Sequence, residues 1–191
     1  MEEYLKQAEN SKSNCIKIVF YGPESTGKST LVKTLAAYFN AVYVEEYARI
    51  YAQNKAKKNR RLTKADVLPI AIGQMTAENQ QYKRADKLLI CDTDLLETMV
   101  YSEHYYEGFC PDSVKFYAYK NKYHLYFLTD IDVAWEADGI RDQPNHRTQL
   151  FNRFEQVLID SKKPYVLVKG EFEERLHFCK TQIENLLKEM Y

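Results

Sequence analysis

The sequence predicts an α/β fold in which helices cover both faces of a parallel sheet, and two observations support this. Short apolar runs rich in branched and aromatic residues have the texture of buried parallel strands. Segments with helical periodicity separate these runs, and such alternation implies right-handed crossovers between parallel neighbours. The predicted strands are Ile16–Tyr21, Ala41–Val44, Leu88–Cys91, His124–Leu128 and Tyr165–Val168. Because these sheets bind ligands at the carboxyl ends of their strands, functional residues are expected directly after them.

The intervening helices follow from apolar spacing and from residues typical of helix starts. A cap-like Thr-Lys-Ala-Asp stretch opens the third predicted helix, and Asp94 opens the next one. From Phe172 to Met190, apolar residues recur at three- or four-residue steps, which predicts a terminal helix with one core-facing stripe. The earlier helices are predicted at Ser29–Phe39, from Glu46 to about Lys57, and from Thr63 to about Ala85.

Length and composition favour a single cytoplasmic domain. The 191 residues contain no repeat or linker, so we expect a polar N-terminal segment (1–14) followed by one domain (15–191). Lys plus Arg and Asp plus Glu number 27 each, and a zero net charge argues against nucleic-acid or membrane partners. No apolar run has the length of a signal-peptide core or a membrane span. The four scattered cysteines indicate reduced thiols, and self-association into a homo-oligomer stays open.

The segment Gly22–Ser29 fits the pattern G-x-x-x-x-G-K-[ST] between a predicted strand and a predicted helix. Its glycines let backbone N–H groups point inward, and the helix start adds a partial positive charge. Such a loop cradles a nucleoside triphosphate, with Lys28 at the β- and γ-phosphates and the Ser29 hydroxyl on Mg²⁺. The predicted ATP-binding residues are Gly22, Glu24, Ser25, Thr26, Gly27, Lys28, Ser29 and the helical Thr30.

Two aspartates follow the third predicted strand, at Asp92 and Asp94. Asp92 has a Walker-B-like placement, and it is expected to complete the Mg²⁺ shell that begins with Ser29. For Asp94 the sequence leaves two interpretations open, a substrate ligand and the N-cap of the next helix.

A second acidic group follows the second predicted strand, in Glu45-Glu46-Tyr47-Ala48-Arg49. A carboxylate within reach of an acceptor hydroxyl can orient it and take its proton, which makes this pair the general-base candidates, with Glu46 preferred. Tyr47 and Arg49 are counted with them as substrate-binding residues, and Arg49 is placed to pair with Glu46 or to contact phosphate. The alternative is an ordinary helix start, where acidic residues favour the dipole.

The polar segment 131–147 is predicted to be a mobile lid over the cleft, because it is long and matches no packed element. Arg141 is the candidate for stabilising the transferring phosphoryl group on closure, and Arg147 is a weaker one. Trp135 is assigned to the substrate site as a cover for a base, against the alternative that it is simply packed.

Four landmarks occur in order: Gly22–Ser29, Glu46–Arg49, Asp92–Asp94 and Trp135–Arg141. Together they resemble the ribosylnicotinamide kinase domain of the NadR type, one branch of the P-loop nucleoside and nucleotide kinases. The resemblance spans nearly the whole chain. It implies a P-loop NTPase three-layer fold with a central five-stranded parallel sheet and a lid. It also implies ATP-dependent phosphorylation of the 5′-hydroxyl of nicotinamide riboside, yielding nicotinamide mononucleotide.

Residue by residue, the resemblance puts Lys28 and Ser29 on ATP and Mg²⁺. It puts Glu46 near the acceptor and Arg141 in the lid. The family often carries an adenylyltransferase domain ahead of the kinase. Only about fourteen polar residues precede the first predicted strand here, so the kinase step alone is expected.

The chain departs from the family at two aromatic positions. Well-known members carry a tryptophan directly before the Glu-Tyr-x-Arg motif, where it helps to hold the nicotinamide ring, and this chain has Glu45 there. A second aromatic of the family falls near Gln80, with Tyr82 close by. Glu45 is therefore assigned to the substrate site as a carboxylate facing a cationic ring.

Two other functions stay open from the residues alone. A kinase for another nucleoside or a nucleoside monophosphate would fit the altered aromatic positions. A P-loop ATP-binding regulator would couple nucleotide state to a partner through the segment 131–147. A GTPase is disfavoured because Asn121-Lys122-Tyr123-His124 lacks the aspartate of the guanine-specificity signature, and a nucleic-acid ATPase because the basic patch 55–61 is short.

Overall fold

Five parallel strands form the centre of the protein, in the order β2-β3-β1-β4-β5. The computed structural model describes residues 2–8, 15–134 and 146–190. The predicted α/β fold with a five-stranded parallel sheet is confirmed, with shifts of one residue at three strands. The strands are β1 (Ile16–Tyr21), β2 (Val42–Val44), β3 (Leu88–Asp92), β4 (Leu125–Thr129) and β5 (Tyr165–Val168).

Helices connect the strands and cover both faces of the sheet. They are α1 (Lys28–Phe39), α2 (Tyr47–Ala56), α3 (Val67–Arg84), α4 (Leu95–Tyr105), α5 (Asp112–Lys120), α6 (Arg147–Asp160) and α7 (Phe172–Met190). Short 3₁₀ turns lie at Glu2–Leu5 and Lys64–Asp66. Two helices, α5 and α6, were not predicted, and α6 begins at the last residue of the predicted lid. Most of that lid, including Trp135 and Arg141, lies outside the described residues.

Successive side chains of β1 point to opposite faces of the sheet, and a hydrophobic core lies on each face. Ile18 and Phe20 pack on the side of α1 and α7, where the Phe20 and Phe127 rings stack with centroids 4.9 Å apart. Val19 and Tyr21 pack on the other side, where Tyr21 meets the ring of Phe154 edge-on. Since both faces of β1 are covered, its sequence reads as an almost continuous apolar run.

The topology directs the carboxyl ends of β1 and β3 to one crevice. The connection from β1 runs past β3 to β2, whereas the connection from β3 runs past β1 to β4, so the two leave this pair of strands in opposite directions. In the register of β1 with β3, Phe20 lies opposite Asp92, so Asp92 sits beside the loop that follows β1. Ligands of such sheets bind where the strand order reverses in this way.

Candidate active site

The loop between β1 and α1 takes the shape that the glycine pattern predicts. Gly22 and Gly27 have φ of 130° and 82°, values that favour glycine. A Cβ on Gly22 would lie 3.1 Å from the Thr129 carbonyl oxygen, so no side chain fits there without displacing β4. The Thr26 hydroxyl bonds the Pro23 carbonyl at 2.8 Å and the Thr129 hydroxyl at 2.7 Å, which ties the loop to β4. The N-terminus of α1 therefore faces a rigid, concave loop.

Lys28 is buried within this loop. Its Nζ donates to the carbonyl oxygens of Gly22 at 2.6 Å and Pro23 at 2.9 Å. Its third partner is a carboxylate oxygen of Glu97 at 3.3 Å. The lysine predicted to bind phosphate is thus held at the base of the cavity by the loop and by α4.

Asp92 and Ser29 lie together beside the loop. The Ser29 hydroxyl donates to the Asp92 carboxylate, and burial followed by the charge of Glu46 raises the pKa of Asp92 to about 6. Asp92 Oδ1 is buried without a hydrogen-bond partner among the described residues. Carboxylate and hydroxyl oxygens are the ligands that Mg²⁺ prefers, usually together with phosphates of the substrate. The pair therefore fits the predicted role in holding Mg²⁺.

A cavity of about 680 Å³ opens between the loop, α2 and α4. The predicted loop residues from Glu24 to Thr30 line one side, and Gly22 lies at the base, where its N–H donates to Glu97 at 3.2 Å. Glu46 and Arg49 also line the cavity and are joined by an ion pair of 3.4 Å. The remaining wall is formed by Arg60, Arg61, Leu62, Thr63, Val67, Ile70, Glu97, Thr98, Tyr101, Ser102, Tyr105 and Tyr106, among others.

Glu45 and Tyr47, both predicted to bind substrate, lie outside this cavity. The Glu45 side chain is 55% exposed and faces Lys33 on α1 at 3.7 Å, because the extended chain turns successive side chains to opposite sides. The ring of Tyr47 packs on α3, where a Cβ on Gly73 would come within 2.0 Å of it. The substrate assignments of Glu45 and Tyr47 are therefore not supported by their positions, whereas Glu46 and Arg49 do face the cavity.

Asp94 acts as the N-cap of α4. One carboxylate oxygen accepts the Glu97 N–H at 3.0 Å, and the other accepts the Tyr126 hydroxyl at 2.8 Å. Its side chain is fully buried, and burial raises its pKa to about 6. Of the two interpretations left open, the structure fits the cap, since both oxygens are used inside the protein.

The aromatic wall of the cavity comes from α4 and not from the positions expected in α3. Gln80 points to solvent, and Tyr82 is buried at the other end of the sheet, with Lys17 Nζ 5.1 Å from its ring centroid. Tyr101 and Tyr105 stack with centroids 6.0 Å apart. The sequence signal for this wall was the spacing of four residues between the two tyrosines, in the helix that follows the strand ending at Asp92.

Glu97 is the site residue that sequence reasoning missed. It is fully buried below the loop, where burial raises its pKa to about 8 against the opposing effect of Lys28. In the sequence it stands three residues after Asp94, where an acidic residue is typical of any helix start. Only the packing of α4 against the loop shows that its carboxylate faces Lys28.

Two arginines contact the loop from outside the cavity. Arg147 donates to the carbonyl oxygens of Val133 at 2.9 Å and Ser25 at 3.3 Å. Arg175, only 2% exposed, donates to the Thr26 carbonyl at 2.8 Å and is ion-paired with Asp132. Arg147 was predicted as a lid residue, whereas Arg175 was expected only to belong to the terminal helix.

Asp66 fixes the loop that forms the Arg60–Thr63 wall. Its carboxylate accepts the Thr63 N–H at 2.8 Å and the Tyr51 hydroxyl at 3.0 Å, and it pairs with Lys55 at 2.5 Å. Burial by itself would raise its pKa, but the hydrogen bonds from Lys55 and Thr63 lower it from 3.8 to about 2.

Replacing Asp66 by asparagine is expected to lower the free energy of unfolding at pH 7 by roughly 1 to 3 kcal/mol, because charge-assisted hydrogen bonds are lost. The charged form is favoured in the folded state, so the difference should close as pH falls from 3.8 towards about 2. Urea unfolding at several pH values measures it, with the exposed Asp86→Asn as the control. A difference that stays constant with pH would contradict the charge assignment.

The comparisons with known proteins agree with this fold. A family model described as an AAA domain matches residues 17–175. The chain belongs to this family. Within it, the chain is a P-loop domain that resembles the NadR kinase domain.

Three similar proteins illustrate this resemblance. The trifunctional NAD biosynthesis/regulator protein NadR of Salmonella typhimurium is 28% identical over 176 residues, covering 90% of this chain and 43% of NadR. The chain thus spans less than half the length of that curated relative. The structure of a NadR protein in complex with NR has a TM-score of 0.77 at 21% identity, covering 91% of this chain and 52% of that one. Deoxyadenosine kinase from M. mycoides, solved with dCMP and dCDP, has a TM-score of 0.60 at 16% identity, covering 89% and 100%.

None of the helices in the described part of the chain combines the length and apolar character needed to cross a membrane.

Proposed function

We propose that this protein is a cytoplasmic, ATP-dependent kinase that phosphorylates the 5′-hydroxyl of nicotinamide riboside to nicotinamide mononucleotide. The observation that carries the proposal is that Glu46 and the Lys28 loop line the same cavity. A loop for the triphosphate and a carboxylate for the acceptor hydroxyl then face the same space. Similarity to NadR over 90% of the chain supports the choice of acceptor.

The loop supplies binding and orientation of ATP. Backbone N–H groups from Gly22 to Ser29 and the start of α1 attract the phosphates, and Lys28 neutralises their charge. Ser29 and Asp92 would hold Mg²⁺, which when bound neutralises charge on the phosphate oxygens. Arg175 and Thr26 tie the loop to the protein, so it keeps its shape as substrate arrives.

Glu46 is proposed to orient the acceptor hydroxyl and to take its proton as the new bond to phosphorus forms. Its ion pair with Arg49 fixes the carboxylate at the start of α2. The tyrosines of α4 would contact the planar base of the acceptor by stacking. Arg141 and Trp135 remain proposals for the lid, with roles in phosphate stabilisation and in covering the base.

A second candidate acceptor, another nucleoside or a nucleoside monophosphate, is favoured by the composition of the same cavity. Glu45 faces away from it, so the ring contact expected for nicotinamide is not supplied at that position. Tyr101, Tyr105, Arg60 and Arg61 line it instead, and these suit a purine or pyrimidine carrying an anionic group.

An acceptor panel distinguishes these candidates. The protein is incubated with MgATP and, separately, nicotinamide riboside, common nucleosides or their monophosphates, and ADP release and the phosphorylated product are measured. Nicotinamide riboside is expected to give the highest kcat/KM. A higher value for another nucleoside or a monophosphate would replace the named acceptor, and ATP turnover that no acceptor stimulates would favour an ATP-binding regulator.

A further inference from the structure

Lys28 uses all of its donors inside the protein. An ammonium group has three N–H donors, and the acceptors are the carbonyl oxygens of Gly22 and Pro23 and a carboxylate oxygen of Glu97. The two carbonyls belong to the loop itself, at 2.6 and 2.9 Å, so these bonds persist while the loop keeps its shape. The contact with Glu97, at 3.3 Å, is the one that a phosphate oxygen can replace.

Two hydrogen bonds fix the position of Glu97, one to its carboxylate and one from its backbone N–H. Its other oxygen accepts the Gly22 N–H at 3.2 Å, and its own N–H is capped by Asp94. One helical turn later, the Tyr101 hydroxyl accepts the Glu24 N–H at 2.7 Å. Two side chains of α4, Glu97 and Tyr101, therefore form hydrogen bonds with the phosphate loop. The same helix forms the aromatic wall of the cavity.

We propose that Glu97 is a positioning residue that holds Lys28 in the nucleotide-free protein, and that an arriving triphosphate must displace this carboxylate from Lys28. This inference rests on the proposed function only for nucleotide binding at the loop, and it is independent of the acceptor. A fully buried carboxylate beside the phosphate site also opposes the charge of the phosphates. Both effects weaken nucleotide affinity, and both vanish when the charge is removed.

The pH dependence of binding follows from the same contact. Lys28, Glu46, Asp92, Asp94, Tyr101 and Tyr21 are the charged or titratable groups that face Glu97. The pKa values of Asp92 and Asp94 lie near 6, and burial raises those of Tyr21 and Tyr101 well above 10. Glu97, with a pKa of about 8, therefore loses its proton between pH 7 and 9. As the carboxylate forms it holds Lys28 more firmly, so nucleotide affinity should fall across this range.

The test measures binding of MgAMP-PNP by calorimetry without acceptor, between pH 7 and 9, in the wild type and in Glu97→Gln. The glutamine keeps the volume and an acceptor for the Gly22 N–H but removes the charge. The variant is expected to bind about tenfold more tightly at pH 8.5, equivalent to about 1.4 kcal/mol, and to lose the fall of affinity with pH. Introduced into Lys28→Met, the same substitution should change affinity far less, because the partner is gone.

The matched control is Glu78→Gln, a second buried glutamate with a raised pKa, which lies on α3 and accepts hydrogen bonds from Gln7 and Tyr123. It is expected to leave affinity and its pH profile unchanged. Equal or weaker binding by Glu97→Gln, with the wild-type pH profile retained, would overturn the proposal. Should that variant not fold, a wild-type affinity that stays flat from pH 7 to 9 would overturn it equally. Absence of transfer to every acceptor would leave this binding test intact and would count against the proposed function alone.

Discussion

Replacing Lys28 by methionine is expected to lower the rate of phosphoryl transfer by roughly 100- to 1,000-fold, because a preorganised cation is removed from the phosphates. Methionine keeps most of the apolar stem, so packing inside the loop changes little. Glu97 then lacks its cationic partner, but it can stay protonated at neutral pH because burial raises its pKa to about 8. The fold is therefore expected to survive, as a thermal melt would verify.

The matched control for this substitution is Lys33→Met on the same helix. Lys33 is 58% exposed and pairs only at the surface with Glu45, so its removal should leave transfer within about twofold of the wild type. Steady-state kinetics with the best acceptor of the panel provides the measurement. Full turnover by Lys28→Met would show that the loop does not act on the transferred phosphate.

Replacing Glu46 by glutamine is expected to lower kcat by roughly 100- to 10,000-fold while the KM for ATP changes little. Glutamine can still orient a hydroxyl but cannot take its proton. The groups proposed to bind ATP, which are the loop amides and Lys28, stay in place when Glu46 is changed.

Glu45→Gln is the control, because the neighbouring carboxylate faces Lys33 and solvent. It should retain wild-type kcat. A normal kcat in Glu46→Gln would instead move the base role to another carboxylate beside the loop, with Asp92 and Glu97 as the candidates. Activity lost equally in both variants would indicate disturbance of the start of α2.

Most of the fold could be predicted because its strands are buried on both faces. β1 and β5 were predicted with their observed bounds, and α1 and the cap at Asp94 within one residue. The α-helical part of α3 begins four residues after the predicted start at Thr63, because Lys64–Asp66 forms a 3₁₀ turn. Helix α5 was missed because only Val114 and Ala118 are buried, while Phe116 on it is 56% exposed and disturbs the apolar pattern. The spacing of Leu150, Phe154 and Leu158 in α6 was visible in the sequence and was not used.

The residues of the candidate site also differ in how far they could be predicted from the sequence. Lys28 could be located from the glycine-lysine pattern of its loop. Glu46 and Asp92 could be located because they lie at the carboxyl ends of parallel strands, which meet at one edge. Glu97 and Arg175 could not, because their roles come from how helices α4 and α7 pack against the loop. Glu45 lies outside the cavity for a local reason, since one residue along an extended segment reverses the direction of the side chain.

The central claim is that the loop from Gly22 to Ser29 holds the triphosphate that the acceptor attacks. A crystal structure with AMP-PNP and Mg²⁺ tests it most directly. We expect the phosphates along the loop amides, Lys28 Nζ turned from Glu97 to a phosphate oxygen, and the metal beside Ser29 and Asp92. A triphosphate bound elsewhere on the protein, with Lys28 still paired to Glu97, would contradict the account.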